Sequence, residues 1–234
     1  MRSSWSGHVI SEFQSRIGQP AHISMGALQS RDTLVRCPVV YIAGTCMNAG
    51  KTAACCAVIR SFSQRGLKIG GVKLTGVSLQ RDILSMRDYG ASEILDFTDA
   101  GIVCTSKDTA ASTAKTLLTA MSEMEVDLIV AETGDGILGE YGVQSILSDP
   151  DLNQLSTAFI LCANDPVGAL GGVETLTKHF GIKVDIVAGP VTDNRVGERF
   201  IESLGLPARN ARSNPKALGD LAFEICYPHA QVTS

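Results

Sequence analysis

The stretch Gly44-Thr45-Cys46-Met47-Asn48-Ala49-Gly50-Lys51-Thr52 joins an apolar run at residues 39–43 to an alanine-rich one at 52–62. A strand that ends in small residues and runs straight into a helix aims several backbone N–H groups at one spot, and the helix N-terminus adds partial positive charge there. With Lys51 to reach outer phosphates and the Thr52 hydroxyl to meet Mg2+, the pattern suits the polyphosphate of a nucleotide. The usual G-x-x-x-x-G-K-[ST] spacing puts a glycine where Thr45 stands, and here Gly44 precedes it by one position, so the loop is a variant. The expected nucleotide contacts are Gly44, Thr45, Asn48, Ala49, Gly50, Lys51 and Thr52.

Further chemistry-bearing groups fall at or near the ends of apolar runs. Lys73 closes Ile69-Gly-Gly-Val-Lys73 and is expected in the same crevice as Lys51, where a second cation would neutralise a transferring phosphoryl group. Asp82, in Gln80-Arg81-Asp82, is a candidate Mg2+ ligand, with Asp88 as the alternative. Glu132 ends the run Asp127-Leu-Ile-Val-Ala131 and precedes Thr133-Gly134-Asp135-Gly136, where a second metal-binding carboxylate belongs; Asp135 is its rival. Mg2+ takes hard oxygen, one or two carboxylates beside phosphate and water, so Thr52, Asp82 and Glu132 form the candidate metal set. Lys51, Lys73 and Glu132 form the candidate catalytic set.

Positioning these groups needs strands that end together. Strands are expected at 39–43, 69–73, 101–105, 127–131, 157–163 and 184–188, with a last short piece at 208–211. Helices are expected between them: from Thr52, over 79–89 with Gly90 at its end, from an Asp108 cap to about Met124, over 167–180, over 195–204, and over 215–226 capped by Ser213 or Asn214. Such alternation argues a mostly parallel sheet with helices on both faces, which places ligands beyond the C-terminal ends of the strands. Residues 37–234 read as one α/β domain, and 1–36, without clear periodicity, as an arm or the remnant of a small extra domain.

With 44% hydrophobic residues the chain can bury a full core, and its net charge of −4 supplies no basic field for a polyanion, so nucleic acid is disfavoured as a main partner and none is expected. Seven scattered cysteines do not suit a disulfide framework, and no Cys-x-x-Cys pair supports zinc. The first eighteen residues lack the apolar core of an export signal and no run is long enough to span a membrane, so a cytoplasmic protein is expected.

The series Gly44-Thr45, Gly50-Lys51-Thr52, Lys73 with Gly76, Asp82, and Glu132-x-Gly134-x-Gly136 resembles dethiobiotin synthetase and its relatives among the P-loop NTPases, over about residues 38–206. The resemblance implies a three-layer sandwich and an enzyme that turns an amine into a carbamate, phosphorylates it with ATP and Mg2+, and closes a ring with loss of phosphate. By similarity Lys51 and Lys73 would stabilise phosphoryl and carbamate charge, and Thr52, Asp82 and Glu132 would carry the metal. Cys46, Met47 and Asn48 replace the family's Asp-Thr-Gly, on the substrate side of the loop. The resemblance is therefore to the wider synthetase-like group, some of whose members carry an extra N-terminal domain, rather than to the biotin enzyme itself. Where that family places an adenine-reading Asn, this chain has Asp193 followed by Asn194. A carboxylate accepts the N1 and N2 protons of guanine, whereas Asn194 would serve adenine, so ATP and GTP both stay open.

The function expected on these grounds is phosphoryl activation of a carboxylate or carbamate for C–N bond formation. Its partners would be a nucleoside triphosphate, Mg2+ and an unidentified small-molecule substrate, in a homodimer. The alternative is a nucleotide-dependent switch that controls a partner protein.

Overall fold

The structure is a computed structural model, and it describes residues 22–29 and 35–229. Six strands form one parallel sheet: β1 (Val39–Gly44), β2 (Ile69–Lys73), β3 (Glu93–Asp96), β4 (Leu128–Glu132), β5 (Ser156–Cys162) and β6 (Ile186–Ala188), in the spatial order β3-β2-β4-β1-β5-β6. The helices are α1 (Lys51–Ser63), α2 (Gln80–Asp88), α3 (Ala110–Ser122), α4 (Val143–Leu147), α5 (Pro150–Gln154), α6 (Pro166–Phe180), α7 (Arg195–Ser203) and α8 (Pro215–Cys226).

Period-two alternation along buried strands divides the apolar residues between two cores. On β1, Val40 and Ile42 face one side with Ala54, Val58 and Phe62 of α1, Met86 of α2 and Leu218 of α8. Val39, Tyr41 and Ala43 face the other, with Leu117 and Met121 of α3, Ile146 of α4, Leu152 of α5, Leu176 of α6 and Ile201 of α7. The expected α/β sandwich with helices on both faces is what forms.

Several expectations are corrected. The third strand is Glu93–Asp96, not 101–105. At the sheet edge Glu93 is exposed and Ile94 half-buried, so β3 carries no continuous apolar run to betray it. Residues 101–105 instead turn at Gly101, which has φ of 80°, and reach Val77 through one antiparallel bridge at Cys104. Residues 208–211 make a single bridge, Val187 to Ala208, rather than a strand. Helix α3 starts after Thr109, not at an Asp108 cap. Asn214, not Ser213, caps α8, accepting from the Ala217 N–H at 3.2 Å. The helices α4 and α5 were not anticipated, although Asp149 followed by Pro150 is a cap and first-turn signal for the second of them.

Most of the expected N-terminal arm lies outside the described residues. Within it, a short 3-10 turn at Ile23–Gly26 leads to Leu28, whose N–H meets the Asp99 carbonyl at 2.8 Å. Among the described residues no helix is long and apolar enough to cross a membrane.

Candidate functional site

The C-terminal tips of β1, β2 and β4 open onto a cleft of about 460 Å3, lined by Asn48, Gly50, Lys51 and Thr52 from the loop and α1, Lys73 and Gly76 after β2, Asp82 and Ser85 of α2, and Glu132, Gly134 and Asp135 after β4. This is the place where an open parallel sheet collects ligands.

The loop after β1 is shaped by two glycines. Gly50 caps α1 with φ of 90°, a left-handed conformation that L side chains rarely adopt. A Cβ on Gly44 would lie 3.0 Å from the Lys51 stem, so the missing side chain lets that stem fold back along the loop. Lys51 is buried, and its Nζ donates to the carbonyls of Cys46 at 2.7 Å and Met47 at 3.2 Å.

Register explains the next pair. Lys73 and Glu132 are direct partners on adjacent parallel strands, so both side chains leave the sheet on the face covered by α1. Both are deeply buried, at 5% and 2% exposure. The Thr52 hydroxyl donates to Glu132 Oε1 at 3.2 Å, and Lys73 Nζ donates to the carboxylate of Asp82. Lys51, Thr52, Lys73, Asp82 and Glu132 thus converge from four elements. Burial raises the Glu132 carboxyl above the usual glutamate range, while the ammonium groups of Lys73 and Lys51 pull it down; Asp82 adds a push upward and the Thr52 hydrogen bond a pull downward.

The other expected residues are placed as follows. Thr45 faces α6, where its methyl lies 3.0 Å from the position of a Cβ on Gly172, and Ala49 is fully buried in the core beneath the loop. Neither lines the cleft. Asp88 sits at the far end of α2, away from the metal set. Asp135, at φ of 80°, lines the cleft, and its Oδ2 accepts the Glu140 N–H at 2.9 Å, closing its own turn. Asp193 borders a narrow slot beside the cleft, with Gly50, Ala53, Gly189, Pro190, Asn210 and Arg212. Asn194 does not line that slot: its Oδ1 caps α7, accepting from Val196 N and Gly197 N, each at 3.0 Å.

Sequence reasoning passed over Arg81, Arg212 and Thr105. Arg81 and Arg212 line the cleft, and Arg212 also borders the slot. Buried Thr105 accepts from Gly76 N at 2.9 Å and donates to the Tyr141 carbonyl at 2.8 Å, tying together the two loops that wall the cleft. In the sequence it stands only as the last residue of the strand expected at 101–105, with nothing to mark a contact to Gly76 or Tyr141.

No family model matches the chain, and no curated protein matches it. Solved structures do. The signal recognition particle receptor FtsY from Elizabethkingia anophelis aligns with a TM-score of 0.52 at 14% identity over 94% of this chain and 81% of its own. The 54 kDa signal recognition particle protein from Aeropyrum pernix, solved in complex with GDP, gives 0.53 at 15% over 87% and 50%. The cell division protein FtsY from Thermotoga maritima gives 0.51 at 14% over 85% and 73%. At these identities the likeness concerns the fold alone: the chain has the α/β P-loop NTPase fold.

Proposed function

We propose that the chain is a Mg2+-dependent nucleoside triphosphatase, with GTP preferred, that passes the γ-phosphoryl group to a carboxylate or carbamate so that a nitrogen can attack the activated carbon. One observation carries this reading: two ammonium groups, two carboxylates and the Thr52 hydroxyl meet in a cleft that continues past Lys73 to Leu79, Arg81, Ser85 and Tyr141. Gripping a nucleotide needs only the loop. The second lysine supplies charge stabilisation for transfer, and the continuing cleft supplies room for an acceptor.

The groups present fit the proposed ligands. A Lys51 ammonium satisfied by backbone carbonyls can exchange them for phosphate oxygens, which accept more strongly. Thr52, Glu132 and Asp82 are the hard oxygen donors that would hold Mg2+, whose contribution when bound is to shield charge on the outer phosphates. Lys73 would stabilise charge on the transferring group from the opposite side. The synthetase-like order of motifs supports the carboxylate or carbamate acceptor, although the exchanged residues 46–48 leave its identity open to a substrate other than the family's diamine. The guanine preference is supported by Asn194 and Asp193: the Asn194 side-chain oxygen is taken up in a helix cap away from the slot, whereas the Asp193 carboxylate, an acceptor for N–H donors, borders it. A relative in fold solved with GDP agrees with that preference.

A switch that controls a partner protein is the second reading, and the Thr105 clamp favours it, because a change at the γ-phosphate would reach the loops carrying Gly76 and Tyr141 together. Phosphate release separates the two. The enzyme should be stimulated by one amine or carboxylate in a metabolite screen and should prefer GTP to ATP. A flat screen, with an oligomeric state that changes on adding non-hydrolysable GTP, would transfer the assignment to the switch.

The raised Glu132 carboxyl makes a separate prediction. Metal binding needs the ionised form, so Mg2+-dependent nucleotide affinity should fall as the pH drops through Glu132's elevated pKa, above the ~4.3 of an ordinary glutamate. The groups facing it are Lys73, Lys51, Asp82, Thr52 and Cys55. By linkage, the same shift favours the protonated native state, so that contribution to stability is present at low pH and is lost as the pH rises through the raised value. Mg2+ titrations of the wild type and Glu132→Gln across ~pH 5–8 check this: the variant should bind weakly and lose the pH dependence.

A further inference from the structure

The slot beside the cleft contains a side chain that the reading above does not use. Asn210 is 5% exposed and spends its whole hydrogen-bonding capacity. Its Nδ2 donates to Thr192 Oγ1 at 3.1 Å and to Asp193 Oδ1 at 2.8 Å, and its Oδ1 accepts from Arg212 N at 2.8 Å and Ser213 N at 2.7 Å. Two donors and two acceptor sites are all that an amide has, so the orientation of the group is fixed by its partners.

Two of the partners, Asp193 and Arg212, line the slot, and Thr192 and Ser213 are their chain neighbours. Thr192 closes the Pro190–Thr192 turn by donating to the Gly189 carbonyl at 2.7 Å. Gly189, at φ of 91°, lies so close to the phosphate-binding loop that a Cβ there would come within 2.3 Å of the Ala49 carbonyl. The turn bearing Asp193 is thereby registered on the loop bearing Lys51. On the other wall Arg212 borders both slot and cleft. The Asn210 side chain joins the Asp193 turn to the Arg212 turn.

We infer that Asn210 is the positioning residue for base selection: by donating to Asp193 Oδ1 it holds the carboxylate so that its free lone pairs face the base, and by accepting from Arg212 and Ser213 it keeps the opposite wall in place. The inference rests on the nucleotide reading above and adds which residue sets its selectivity. An aspartate on an exposed turn is otherwise free to rotate. Held as an acceptor-only group, it rewards a base edge with two adjacent N–H donors and repels one with a ring-nitrogen acceptor.

The test compares GTP, ATP and inorganic tripolyphosphate binding by calorimetry with Mg2+ in the wild type, Asn210→Asp and Asp193→Ala. Asn210→Asp preserves the acceptor oxygen for Arg212 and Ser213 but turns an oxygen instead of a donor toward Asp193. Its GTP affinity should fall about 10-fold or more, the GTP-to-ATP ratio should approach unity, and tripolyphosphate should bind as before. Asp193→Ala, at an exposed position and with a normal melting profile, should lose the same selectivity, and Asn210→Asp should add nothing on that background. Wild-type selectivity in either single variant overturns the role of Asn210 while leaving nucleotide binding in place. If the wild type binds neither nucleotide nor tripolyphosphate, the nucleotide reading itself falls and takes this one with it.

Discussion

Lys51→Ala should abolish measurable binding of GTP and ATP under conditions where the wild type binds them. The ammonium is buried and rests on two backbone carbonyls of its own loop, so it is already desolvated and already aimed where polyphosphate oxygens would lie. Truncating one partner of a buried, hydrogen-bonded charge pair costs about 2–5 kcal/mol, or ~30-fold to several thousand-fold in affinity. The fold should tolerate the change, because Met47 and Lys51 line the open cleft and water can reach the carbonyls that Lys51 releases. Calorimetry with Mg2+ reads the outcome directly. Near-wild-type affinity in this variant, with a normal melting profile, would mean that the loop after β1 is a structural turn and not a phosphate cradle.

Lys73→Ala should behave differently, retaining nucleotide binding while phosphate release falls by about 100- to 1000-fold, the loss typical of removing one preorganised group that stabilises transition-state charge. Lys73 lies beyond the loop, next to Glu132 in strand register and in contact with Asp82, and in the proposed function it would face the transferring group rather than the inner phosphates. Its removal also leaves two carboxylates with one cation fewer between them. The Glu132 carboxyl, already raised by burial, should rise further, and the pH at which Mg2+ binding is lost should rise with it. Single-turnover phosphate release and a pH series on the same protein separate these effects. Equal losses of binding and turnover would place Lys73 in uniform nucleotide binding rather than in transfer.

How far the sequence carried these conclusions depended on whether a residue acts through its neighbours in the chain. The loop around Gly50 was legible because strand, small residues, lysine and helix follow one another directly, and each contributes locally. Lys73 and Glu132 were legible as groups ending apolar runs, since a buried parallel strand leaves the core only at its tip. The strand Glu93–Asp96 was not, because an edge strand lacks the second buried neighbour that would have enforced apolar residues at both ends. For Asn194 the sequence offered a base reader or an ordinary Asp-Asn turn, and only the start of α7 at Arg195 shows its side-chain oxygen capping a helix.

The amino-acid order alone therefore determined the fold class, the strand-loop-helix junction around Gly50 and the charged residues that end the apolar runs, because apolar periodicity and adjacent-residue chemistry are short-range properties. Tertiary structure alone decided which of those charges meet, that Asp82 contacts Lys73, that Thr45 turns toward α6, and that Asn210 clasps Asp193 from 17 residues away. The reason is that strand register and loop crossing fix contacts between residues far apart in sequence, and neither is encoded in the pattern of any single segment.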